Sequence, residues 1–269
     1  MTQGRARTPL VLIGGPVVLF LGLPVGVLVA RAVLGGALGE ALTARVVLDA
    51  LALSLTTTAI SLALTVVLGT PLAYALARRR FRGSGLLETV VDLPIVLPPS
   101  VAGLALLLVF GRRGALGEPL DAFGFGIAFT TAAVVLAQTF VAAPFYIRSA
   151  RAGIAGVDRD FEDAARVDGA GEWDVFRRVT IPLAGPALAA GLVMSWARAL
   201  GEFGATIMFA DSIEGRTQTL PLVVYAEFQG GDLDASIAAA AILVLAAFGV
   251  LVAVRALRWG RALDVRGLG

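Results

Sequence analysis

The chain has no cysteine and no histidine, and its 22 basic residues are all arginine. Without cysteine there is no disulfide, no thiolate nucleophile and no thiolate metal site. Without histidine the usual catalytic base, transition-metal ligand and proton relay are missing. Without lysine neither a Schiff base nor the G-x-x-x-x-G-K-[ST] phosphate loop of an ATPase can be built. Charge is scarce too: 16% of the 269 residues, against about a quarter in ordinary soluble domains. What fills the chain is apolar, 58% of it hydrophobic with a mean hydropathy of +0.86. That excludes a water-soluble globule. A net charge of +2 and a pI near 9.6 would fit nucleic-acid binding, but the placement of the arginines has another cause.

Six apolar segments run roughly over 9–30, 48–77, 90–110, 125–147, 183–210 and 233–257. At about 1.5 Å rise per residue, each is long enough to cross a hydrocarbon core of about 30 Å. The expected fold is therefore an all-α integral membrane protein with six transmembrane helices. The first segment follows Arg5 and Arg7 as a signal peptide would, but its apolar run is too long and Ala30-Arg31-Ala32 is a poor cleavage site, so an uncleaved span is expected. With the N-terminus inside the cell, sixteen arginines, from Arg5 through Arg80 to Arg266, fall in inside segments. Five fall outside, and Arg198 lies within a span. This is a positive-inside bias, which places both termini in the cytoplasm and makes the basic pI a topology signal.

Residues 148–182 form the one long polar segment, on the same inside face. Asp158 can cap a short helix, Asp160 and Glu162 put acid in its first turn, and Gly169 suits a left-handed end. Val157, Phe161, Ala164 and Ala165 make a narrow apolar stripe. A second short helix is expected from Glu172 to about Thr180, stopped by Pro182. One interpretation is an amphipathic connector lying on the membrane surface. The other is a rigid docking knob shaped for a partner's groove.

Within the spans, Leu93-Pro94-Ile95-Val96-Leu97-Pro98-Pro99-Ser100 must free backbone carbonyls. That leaves either a simple kink or a broken helix beside a water-filled path, of which the second is favoured. Arg198 and Glu202 stand four apart near mid-membrane, so they can neutralise each other, either as a functional pair or as a structural one. Gly201, Gly204, Ala205 and Thr206 are small residues that suit close helix contact or a narrow gate. Gln138 and Thr139 read as interhelical hydrogen-bonders. The donor-rich stretch containing Arg216, Thr217 and Gln218 reads as an external loop.

Asp163-Ala164-Ala165, three residues, Gly169, nine residues and Val179-Thr180-Ile181-Pro182 resemble the EAA loop of ATP-binding-cassette importer permeases, E-A-A-x3-G-x9-I-x-L-P. Asp163, Val179 and Ile181 depart from it mildly, and Glu162 supplies a neighbouring carboxylate. The stretches at 93–103 and 198–206 resemble the molybdate and sulfate branch, and Gly215-Arg216-Thr217-Gln218-Thr219-Leu220-Pro221-Leu222 is most similar to its molybdate members. The resemblance covers roughly residues 48–257. It implies a single permease domain over 1–269, with the six-helix bundle of a type I importer, in a bacterial-type plasma membrane.

It also implies a coupling element made of Glu162, Asp163, Ala164, Ala165, Gly169 and Pro182, with Asp163 or Glu162 meeting a basic residue of an ATPase. Pro98, Pro99, Ser100, Arg198, Glu202 and Thr206 become candidates for the pathway or gate. Implied partners are a second copy of the chain, two cytoplasmic ATPase subunits holding ATP and Mg, an external oxyanion-binding protein and the lipid bilayer, with no nucleic acid. Tungstate is nearly indistinguishable from molybdate as cargo, and sulfate is third. No catalytic residue, metal site or cofactor is expected on this chain. The rival classes are a secondary transporter relaying through Arg198 and Glu202, a membrane enzyme and a structural anchor. The first leaves the 148–182 loop unexplained, the second lacks the residues for chemistry, and the third does not need proline-broken spans.

Overall fold

Alanine and leucine, which lose little side-chain freedom in a helix, dominate the apolar runs. In the computed structural model each run is helical over most of its length. The structure describes residues 7–79 and 81–264, with side chains over 15–79 and 81–252. Of the arginines counted for topology, Arg5, Arg80 and Arg266 lie outside the described residues.

The helices are α1 (Arg7–Leu34), α2 (Ala37–Ala41), α3 (Arg45–Arg78), α4 (Ser84–Val96), α5 (Pro99–Phe110), α6 (Gly117–Ala122) and α7 (Thr131–Ala155). After them come α8 (Arg159–Val167), α9 (Glu172–Val175), a π-turn (Phe176–Thr180), α10 (Ile181–Leu200), α11 (Gly204–Ala210), α12 (Leu220–Gly230) and α13 (Leu233–Asp264). Five continuous helical stretches are long and apolar enough to cross a membrane: Gly15–Leu34, Arg45–Arg78, Thr131–Ala155, Glu172–Leu200 and Leu233–Val252. The α4–α5 pair makes a sixth if counted as one span, bent by 117°. No strand occurs among the described residues.

α3, α7 and α10 form the centre. One face of α3 carries Ser54, Thr57, Thr58, Ser61 and Thr65, all buried, at the three- and four-residue spacing that puts them on one stripe. Across it Gln138 Nε2 donates to Thr58 Oγ1 at 3.3 Å, and the Thr139 hydroxyl lies 3.0 Å from Ser61 Oγ. These two residues are the interhelical partners the sequence indicated. α7 and α10 approach closely because Gly191 leaves no room for a side chain: a Cβ there would stand 2.7 Å from Ser149 Cβ. Small residues at the contact and short polar bridges are how helices associate where lipid supplies no hydrophobic drive.

Three sequence expectations need correction. Pro182 does not stop the helix that begins at Glu172. The coil widens to a π-turn, Ile181 N–H bonds back to Phe176 O, and Pro182 enters the first turn of α10, where its missing donor is harmless. The fifth segment is instead interrupted at Gly201-Glu202-Phe203, between α10 and α11. The fourth helix begins at Thr131 and continues to Ala155, so the polar segment's first residues are helical. α12 was not foreseen at all.

Candidate coupling site and membrane pathway

Asp158 caps α8 by accepting from Asp160 N at 3.1 Å, and Gly169 adopts φ +91°. Both are the turn chemistry expected of these residue types. Arg166 ties the two short helices into one knob: its Nε and Nη2 donate to Glu172 Oε1 and Oε2 at 2.8 and 3.2 Å, and its Nη1 donates to Asp163 Oδ1 at 2.7 Å. The forked geometry matches a planar guanidinium to a carboxylate.

The Arg166 hydrogen bond, followed by its charge, holds the Glu172 carboxyl below the ordinary 4.5 and raises Arg166 itself. A lowered carboxylate pKa stabilises the folded state above the unfolded value and loses that contribution as pH falls through the folded one. Acidification below about pH 4.5 is therefore expected to loosen α9, read as a change in Trp173 fluorescence in a chain carrying Trp196→Phe and Trp259→Phe. Arg166→Ala should remove that transition.

The knob's apolar residues divide between two sides. Val157 is buried in the cluster with Ile154 and Ala184, whereas Phe161 (59% exposed), Ala164 and Val167 (88%) face away from the chain. Trp173, 68% exposed, leans back on Phe176 with ring centroids 5.5 Å apart. The two candidate carboxylates also separate. Asp163 points outward. Glu162 is 2% exposed and turned into the protein, where its Oε1 accepts from Arg78 Nη2 and Thr180 Oγ1, both at 2.7 Å. Of the two carboxylates expected to meet an ATPase, Glu162 is therefore engaged inside the chain. The reason is Arg78, the last residue of α3, whose nearly buried guanidinium needs a counter-charge. Ala165 and Gly169 line the turn out of α8, and Pro182 sits in the helix that follows.

Sequence reasoning missed the roles of Arg78 and Thr180, and it missed two ion pairs between α4 and α7: Glu88–Arg151 at 2.8 Å and Asp92–Arg148 at 3.6 Å. The signal was present. Two acids four apart at one span's edge match two arginines three apart at another's.

In the membrane the two broken spans touch at their breaks. α4 ends at Val96, the chain turns through Leu97 and Pro98, and α5 starts at Pro99. This is the broken helix that the prolines favoured over a kink. A Cβ on Gly204 would lie 2.7 Å from Pro99 Cβ and 3.2 Å from Ser100 N, so α11 starts directly on the start of α5. Thr206 is fully buried behind this contact. The α10–α11 break is held by Glu202, itself 1% exposed: Oε1 accepts from Ala205 N at 2.7 Å, and Oε2 pairs with Arg198.

Glu202→Gln keeps an acceptor for Ala205 but leaves Arg198 without its charge partner. Removing one member of a fully buried pair costs about 3–5 kcal/mol, and because Arg198 is 29% exposed the cost here is expected below that range. Thermal stability in detergent should fall by several degrees if the pair is structural alone, and transport should fall further than the remaining folded fraction if it also lines the path.

The loop that carries Arg216, Thr217 and Gln218 is pinned on itself. Thr217 is buried, accepts from Ile213 N at 2.9 Å and donates to Asp211 O at 3.1 Å. Thr131 Oγ1 donates to Arg216 O at 2.8 Å, and Gln218 N donates to Ile213 O at 3.0 Å. The Arg216 side chain remains exposed, while Thr217 serves the loop's own fold.

Spanning helices broken at two touching points, with a stiff knob that leaves Phe161 and Val167 exposed, are the architecture of a membrane transport component. The chain belongs to the family of binding-protein-dependent transport system inner membrane components, whose model matches residues 66–259. It is 47% identical over 207 residues to the molybdenum transport system permease protein ModB of Mycobacterium tuberculosis, covering 77% of this chain and 78% of that protein. It is also 40% identical over 250 residues to a probable molybdenum ABC transporter permease protein of Haloferax volcanii, covering 91% and 88%. The fold matches that of a bacterial ABC transporter involved in the import of the acidic polysaccharide alginate, with a TM-score of 0.72 at 18% identity over 94% and 93% of the two chains.

Proposed function

We propose that this chain is the transmembrane permease subunit of an ATP-driven importer carrying molybdate, or the near-identical tungstate, across the plasma membrane. The observation that carries this function is the α8–α9 knob: rigid, acid-rimmed and apolar on its outward face. The molybdenum permeases to which the chain is similar supply the cargo.

Two copies would enclose the path. Each knob would seat on an ATPase subunit in the cytoplasm, where ATP and Mg are held, and a soluble protein outside would deliver the anion. Closure of the ATPases draws the knobs together and rocks the bundles to face outward, and hydrolysis returns them. Among the described residues Arg198 is the arginine inside the apolar part of a span, away from the polar segments at the helix ends, and Glu202 pairs with it. The path thus offers an anion no deep well, and affinity rests with the binding protein.

The test is uptake into liposomes holding the chain with its ATPase and binding protein. Molybdate should enter only with all three components and ATP, and excess sulfate should compete weakly. Accumulation driven by an ion gradient without nucleotide would favour the secondary-transporter class instead.

A further inference from the structure

Glu162 lies beside the residue that the loop motif would send to the ATPase, yet it is turned the other way. Its Oε1 receives two hydrogen bonds of 2.7 Å, from Arg78 at the end of α3 and from Thr180 at the entrance to α10. The same Arg78 Nη2 donates at 3.0 Å to Val157 O, in the linker by which the chain leaves α7 for α8. One buried cluster therefore holds the knob where it enters and where it leaves, and fastens it to a helix that runs the full depth of the bundle. The side chains of Arg78 and Glu162 are 9% and 3% exposed, so neither water nor salt softens the link.

α3 in turn packs along α7 for most of its length, and Tyr74, one turn before Arg78, stacks edge-on against Phe176 of the π-turn with centroids 5.1 Å apart. A push on the outer face of α8 reaches α3 and α10 through this cluster.

We propose that Glu162, Arg78 and Thr180 are positioning residues that form the joint through which the knob moves the membrane spans, and that Glu162 does not itself touch the ATPase. This rests on the importer function proposed above. Glu162 and Asp163 then divide the work, the first passing motion inward and the second facing the partner.

The test uses the complete complex in liposomes, reading ATPase retained on the permease and anions moved per ATP hydrolysed. Glu162→Gln and Thr180→Val should each retain the ATPase while lowering the transport-to-hydrolysis ratio by about fivefold to tenfold. The double variant Arg78→Gln with Glu162→Gln should lower it no more than the worse single change, because both break one link. Thr180→Val removes only a hydroxyl at nearly constant shape, so it carries the test even where a charge-removing variant fails to fold.

The joint is overturned if the ratio stays at the unmutated value, if losses multiply in the double variant, or if Glu162→Gln releases the ATPase. Failure of the importer function itself is separately visible, since the unmutated complex would then neither retain an ATPase nor move molybdate.

Discussion

Replacing Phe161 and Val167 together by aspartate should strip the ATPase subunit from the purified complex, weakening its association by at least about a hundredfold, or about 2.7 kcal/mol. The two side chains are 59% and 88% exposed and lie on one side of α8 with Ala164 between them. Exposed apolar anchors at the centre of an interface cost about 2 kcal/mol or more each when lost, and a carboxylate in their place adds a desolvation penalty on binding. Neither residue packs into its own chain, so the variant should remain folded and monodisperse in detergent, with the melting temperature of the parent. An ATPase that stays bound to the double variant would remove the knob from the interface.

The second large effect is expected at the contact between the broken spans. A Cβ on Gly103 would fall 2.6 Å from Ala205 O, 2.7 Å from Met208 Cβ and 2.8 Å from Ala205 Cα. Two of these atoms are backbone and cannot swing aside. Gly103→Ala should therefore part α5 from α11 or strain both, at about 1–3 kcal/mol, and Gly103→Leu should abolish transport. Gly185→Ala is the control: it sits in α10 with open space around its Cα, and alanine favours the helix. Melting curves with uptake on the same preparations separate the two. Equal behaviour of Gly103→Ala and Gly185→Ala would mean that the contact is not tight in the working transporter.

Much of this was legible beforehand because lipid leaves a sequence few options. Five of the six apolar runs became helical stretches long enough to span, the sixth became a pair bent by 117° at Pro98 and Pro99, and Asp158 and Gly169 bounded α8. What escaped depended on partners distant in the chain. Nothing in the adjacency of Glu162 and Asp163 says which one turns inward; Arg78, 84 residues away, decides it. The break at Gly201-Glu202-Phe203 has no proline and depends on a carboxylate capping the next helix. The run through Pro182 needed a π-turn that periodicity does not encode. α12, at 11 residues, is too short to register as a span, and its buried start, where Leu220 N donates to Ser54 Oγ at 2.7 Å, is fixed by α3.

The central claim is that the outer face of α8 lies in the cytoplasm against an ATPase. Because the chain has no cysteine, Val167→Cys creates a single reporter thiol, and Ile213→Cys marks the opposite side. In intact cells a membrane-impermeant maleimide should modify Ile213→Cys and leave Val167→Cys untouched. After permeabilisation Val167→Cys should react freely without the ATPase and be shielded when it is bound. Modification of Val167→Cys from outside intact cells, or equal reactivity with and without the ATPase, would contradict the claim.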